Sequence, residues 1–71
     1  MNLKNYIGEN VKLVSKSGHI YTGHVWDYVY PDDNEPEVEA IIMDYPVRED
    51  GYKSEYPMQF NAPDIKSIEV I

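Results

Sequence analysis

Gly23 sits inside the run "HIYTGHVWDYVY", residues 19–30, whose β-branched and aromatic residues favour an extended strand. A glycine at mid-strand weakens the strand and permits a sharp bend. Gly18 closes the polar turn "KSG" and separates this run from "NVKLVSK", residues 10–16. There Val11 and Leu13 alternate with Asn10, Lys12 and Val14, the period of a strand with one better apolar face. Two strands joined by a tight turn, the second of them bent, are what a small barrel needs in order to curl. A bend also lets the two halves of one strand turn different parities inward. That accounts for the core character of both Tyr21/Val25 and Ile20/Trp26.

The remaining sequence predicts one helical turn and three more strands. Leu3, Tyr6 and Ile7 fall at i, i+3 and i+4, so they share one face of a short helical unit that must dock through them. Gly8 ends that unit. Pro31 ends the second strand, because it cannot donate to a ladder. "PDDNEPEVE", residues 31–39, is a loop with two prolines, an asparagine and five acids: Asp32, Asp33, Glu35, Glu37 and Glu39. "VEAIIMDYP", residues 38–46, is a third strand, with apolar residues on both parities and hence covered on both faces. "VREDGYKSE" is a charged turn around Asp50-Gly51. "EYPMQF", residues 55–60, is a fourth strand that Pro57 places at an edge or a bulge. "NAPD" is a tight, 3₁₀-like turn, and "IKSIEVI", residues 65–71, closes the chain as a fifth strand. Strands this close in sequence pair with their neighbours. The prediction is an all-β fold with one short N-terminal helix. It is a single domain over residues 1–71, a five-stranded, strongly bent antiparallel barrel whose closure removes exposed edges.

Composition narrows the chemistry. A chain of 71 residues buries only about 60% of its unfolded surface. It contains no cysteine, so disulfides, thiol catalysis and cysteine-bound zinc are excluded. Packing or self-association must supply the stability. Thirteen acids against six bases give a net charge of -7, which repels nucleic-acid phosphates unless the cations are grouped, and favours solubility. No apolar run approaches the roughly 20 residues needed to span a bilayer. "MNLKNYIGEN" is too short and polar for a secretory signal. A cytoplasmic protein with no membrane contact is expected.

Rare residues cluster in the bent strand. His19, His24 and Asp27 suggest a metal site. The histidines are five apart, which puts them on opposite faces of a straight strand, and no third ligand supports them. Exposed strand histidines are the better reading, and no metal or cofactor is expected. Asp32 to Glu35 lacks the alternating ligands and central glycine of an EF-hand loop, so it reads as a solvated acidic loop able to meet a basic partner. Trp26, Tyr28 and Tyr30 share a parity and form an aromatic stripe, either packed inside or exposed as a binding surface. No nucleophile elbow and no phosphate-binding glycine loop is present, so no catalytic residue and no enzyme activity is assigned.

The glycines and apolar positions between residues 7 and 25 carry a family resemblance. Gly8, Val11, Leu13, Gly18, Tyr21, Gly23 and Val25 sit where the first motif of the Sm and Sm-like family places its glycines and core residues. The helix followed by five strands and the tail "DIKSIEVI" extend the likeness along the chain, which resembles a divergent, bacterial-type member and, more loosely, other SH3-like barrels. The resemblance implies an Sm-like barrel that assembles into rings by pairing the fourth strand of one subunit with the fifth of the next. Met58, Phe60, Ile68 and Val70 are then the strand-pairing candidates. It also implies an RNA pocket built from two loops, but the matching positions depart from it. In "DYVYPDDNEPE" Asp27 comes too early and Val29 takes the usual aspartate position. "FNAPDIKS" has no Arg-Gly or Lys-Gly pair, only Lys66 followed by Ser67.

The expected function is therefore a non-enzymatic binding or assembly module acting through a protein partner or a second copy of itself. The partner-binding candidates are Trp26, Tyr28, Tyr30, Asp32, Asp33, Glu35 and Glu37. RNA binding is the alternative that the resemblance implies, and acidic mimicry of nucleic acid at a basic partner site is a third.

Overall fold

The alternating segments become five antiparallel strands: β1 (Asn10–Ser15), β2 (Ile20–Val29), β3 (Ala40–Arg48), β4 (Met58–Asn61) and β5 (Ile65–Val70). The structure, a computed structural model, describes residues 2–71. Three single 3₁₀ turns, Leu3–Tyr6, Pro31–Asp33 and Ala62–Asp64, link or cap the strands. The strands form one sheet in the order β4-β3-β2-β1-β5.

The β1 pattern survives intact. Val11 and Leu13 are fully buried, and β2 lies across them with Val11 opposite Gly23 and Leu13 opposite Tyr21. Leu3, Val25, Ile41, Met43, Phe60 and Ile65 complete the core. Each large apolar side chain buried in this way contributes about 1.5–3 kcal/mol relative to leaving it in water. The KSG turn closes through Gly18 at φ +97°, a conformation costly for any residue with a Cβ.

Of three register shifts in the sheet, one leaves Lys66 extra on β5 opposite Val14 and Ser15, and the other two fall between β2 and β3. Between Thr22 and His24 the partners on β3 step from Val47 to Asp44, so Tyr45 and Pro46 form a bulge opposite Gly23. Between Val25 and Asp27 the partners step only from Met43 to Ile42, which leaves Trp26 as the extra residue on β2. Bulges of this kind bend a strand and raise its twist. Gly23 is needed because a Cβ there would stand 3.2 Å from Pro46 Cα and 3.4 Å from Met43 Cε. Pro46 is fully buried, and Tyr45 takes a positive φ of 45° to deliver it.

Several sequence expectations change. β3 runs past Pro46 to Arg48, because a proline at a bulge is not required to donate to the ladder. It is covered on both faces only over residues 40–43; Asp44 and Tyr45 are exposed. β4 begins at Met58, so Pro57 stands outside its ladder rather than within it. The N-terminal unit is a 3₁₀ turn. With three residues per turn, Leu3 and Tyr6 stack on one side while Ile7 swings away and is 46% exposed. Ile7 is not a docking residue. The barrel is also not closed by hydrogen bonds: among the described residues β4 pairs with β3 and β5 with β1, not with each other. The Ala62–Asp64 turn carries the chain from one open edge to the other.

Candidate interaction surfaces

The two open edges come directly from the strand order. β4 contributes four residues and β5 six, each paired on one side. Unpaired strand edges are templates for another strand. Of the strand-pairing candidates, Phe60 is buried and tilts against Tyr21 with ring centroids 5.0 Å apart, while Met58 and Ile68 pack half-buried on the core. Val70 is 52% exposed. The open edges therefore offer backbone groups more than apolar side chains. The end of β5 is anchored by Ile71 N–H, which donates to Asn10 carbonyl at 2.9 Å, and by Lys12 lying 3.8 Å from Glu69.

The aromatic stripe is split. The β2 bulge puts Trp26 and Asp27 both on the outside, and Trp26 is 50% exposed. Asp27 Oδ1 accepts from the Tyr28 amide at 2.8 Å, and Tyr28 turns back to pack against the core. Tyr28 and Tyr30 then meet edge to face, centroids 5.0 Å apart at 88°. The Tyr28 hydroxyl donates to Glu39 Oε1 at 3.3 Å. Partial burial, followed by the Glu39 carboxylate, pushes the Tyr28 phenol above its usual pKa. The Lys4 ammonium lies 4.5 Å from the Tyr30 ring centre and 5.7 Å from that of Tyr28.

Asp32, Asp33, Glu35 and Glu37 are exposed, as the sequence suggests. The loop carrying them is nonetheless pinned. Asn34 Nδ2 donates to Val38 carbonyl at 2.9 Å and to Asn61 Oδ1 at 3.0 Å. Asn34 Oδ1 accepts from the Glu35 amide at 3.0 Å and from Gln59 Nε2 at 3.1 Å, so the whole amide is satisfied. Gln59 Nε2 also reaches Asn61 Oδ1 at 3.1 Å. This cluster ties the segment after β2 to the end of β4, and it is the feature that sequence reading missed. Asparagine in an acidic loop signals only a local turn; the partners 25 and 27 residues away have no local pattern.

His19, His24 and Asp27 do not converge. His19 Nδ1 lies 2.9 Å from Glu49 Oε1, and Glu49 Oε2 accepts from the Ile20 amide at 2.9 Å. These bonds, His19 first, hold the Glu49 carboxyl below its usual pKa. His24 is exposed on β2, opposite Asn10 and Asp44. Among the described residues no group of three or more His, Asp or Glu is placed to hold a metal ion. In the next turn Arg48 forks onto Asp50, Nε to Oδ1 at 3.0 Å and Nη2 to Oδ2 at 2.8 Å. This fork, helped by the Tyr52 amide, holds Asp50 at about 2. No helix among the described residues is long and apolar enough to cross a membrane.

No family model matches the chain, and no curated protein matches it. Among solved structures, a novel Sm-like archaeal protein from Pyrobaculum aerophilum superposes with a TM-score of 0.74 at 19% identity. The match covers 97% of this chain and 48% of that one, so the chain spans about half the length of the solved structure. The chain has an Sm-like fold.

Proposed function

We propose that this Sm-like chain is a non-enzymatic assembly module that joins copies of itself edge to edge, β4 of one to β5 of the next. The observation that carries the reading is the pair of open edges at opposite ends of one strand order. A head-to-tail contact between different edges closes into a ring when the rotation permits. It satisfies the outward backbone groups of both strands without a large apolar interface, in keeping with half-buried Met58 and Ile68. It also supplies the stabilisation that a 71-residue, cysteine-free chain lacks. With Pro57 outside the β4 ladder, the four residues Met58–Asn61 keep all their amide donors.

Amide hydrogen exchange tests this. The β4 and β5 amides that donate to neither β3 nor β1 should exchange slowly at high protein concentration and speed up on dilution. Exchange at free-loop rates at every concentration rejects edge pairing.

RNA binding is the second reading, supported by one observation. The segments after β2 and before β5, where Sm-like proteins that bind RNA form their pocket, meet through Asn34, Gln59 and Asn61. That corner is built from amides, and Asp32, Asp33, Glu35 and Glu37 adjoin Asn34. Titration with oligo-U and oligo-A at two salt concentrations, read on the Trp26 fluorescence, decides it. Salt-sensitive binding at micromolar levels or tighter moves RNA to the leading reading.

A further inference from the structure

The Tyr28–Tyr30 corner already holds a cation. Two rings at 88° offer one face and one edge, Glu39 stands behind the Tyr28 hydroxyl, and the Lys4 ammonium sits 4.5 Å from the centre of the Tyr30 ring. Ammonium groups over tyrosine faces are drawn by the ring quadrupole, and clusters of such rings select cationic ligands. The occupant is open to solvent. Lys4 is exposed, on a single 3₁₀ turn whose buried anchor is Leu3, and Tyr30 is 51% exposed. Immediately after Tyr30 the chain presents Asp32, Asp33, Glu35 and Glu37, all exposed, on a loop fixed in place by Asn34. A positively charged chain lying along that loop would bring its own ammonium groups to the rings, in keeping with the net charge of -7.

We propose that Tyr28, Tyr30 and Glu39 form a cage for the ammonium group of a lysine on a basic segment of a partner protein, with Lys4 as the resident competitor from the same chain. The acidic loop draws the segment in and the rings select the side chain. Lys4 keeps the corner filled until a lysine-rich segment, at sufficient local concentration, displaces it. The cage does not depend on edge-to-edge assembly, since a monomer has it whole.

The test uses the full chain and a short synthetic peptide of alternating glycine and lysine, followed by NMR. The Tyr28 and Tyr30 ring signals should shift with saturation, and the Lys4 side-chain signals should move to free-lysine positions as the peptide binds. Lys4→Gln should bind the peptide about two- to fivefold more tightly, the size of one exposed cation–ring contact. Lys66→Gln, which removes the same charge from β5, should gain clearly less. Tyr30→Leu, at a site half open to solvent and so compatible with folding, should lose at least that factor. Binding that shifts only the acidic loop and is unchanged in Tyr30→Leu overturns the cage. Equal gains in Lys4→Gln and Lys66→Gln overturn the competition. The protein's mass, followed alongside, reports on assembly separately: a monomer that binds the peptide refutes edge pairing and leaves the cage standing.

Discussion

Replacing Gly23 with alanine should destabilise the protein, although the same change in an unstrained strand stabilises. The new methyl meets Pro46 Cα at 3.2 Å, Met43 Cε at 3.4 Å and Pro46 Cβ at 3.5 Å. The methionine end can swing aside. The Pro46 backbone cannot, because it is the buried half of the β3 bulge and its carbonyl accepts from Ser54 N–H at 2.9 Å. Overpacking a tight core costs about 1–3 kcal/mol. The stiffer unfolded chain returns about 0.4–1 kcal/mol. The difference spans about 0–2.6 kcal/mol, and the fixed Pro46 backbone places the loss toward the upper end, a substantial share of the roughly 4–11 kcal/mol expected for a chain of this size. For such a domain each kcal/mol lowers Tm by about 4–8 °C, which thermal unfolding by circular dichroism resolves. Gly18 provides the contrast. A Cβ there meets nothing within 4 Å, and the cost comes from φ +97° alone. D-Alanine, introduced by chemical synthesis, should therefore rescue position 18, where the positive φ suits a D-residue. A Gly23→Ala protein as stable as the parent, or more so, refutes the close approach and with it this account of the bend.

Three further outcomes follow from the same structure. Asp50 should titrate at about 2 by carboxyl NMR, and Arg48→Gln should return it toward the ordinary carboxylate range, about 4. Because its folded pKa is depressed, the stability it contributes is complete above that ordinary range and disappears as pH falls from there through about 2; Glu49, also lowered, acts in the same direction. Asn34→Ala should cost about 1 kcal/mol in urea unfolding with the m-value unchanged, and should shift the Gln59 side-chain amide signals in the folded protein. Met43→Ala, at a fully buried core position, should cost about 2–5 kcal/mol.

How far the fold could be read in advance depends on how local each cause is. Val11 and Leu13 alternate because β1 is straight, and Gly8 and Gly18 take positive φ because tight turns demand it; both signals lie within a few residues. The bulges do not announce themselves this way. A period of two assumes an unbroken ladder and puts Trp26, Tyr28 and Tyr30 on one parity, whereas the extra residue at Trp26 separates it from the tyrosines. Gly23 marked the bend, but its partner, Pro46, is fixed by pairing across the sheet. The i, i+3, i+4 spacing puts Ile7 on the shared face only in an α-helix, and the tighter 3₁₀ turn takes it off that face. The Asn34 cluster and the Lys4 cation site unite residues 24 to 27 positions apart through side chains that have no period at all.

The mass of the protein in solution tests the central claim most directly. Light scattering on purified protein over a range of concentrations should give the mass of a closed assembly of several 8.3 kDa protomers. A mass of one protomer at every concentration contradicts the account.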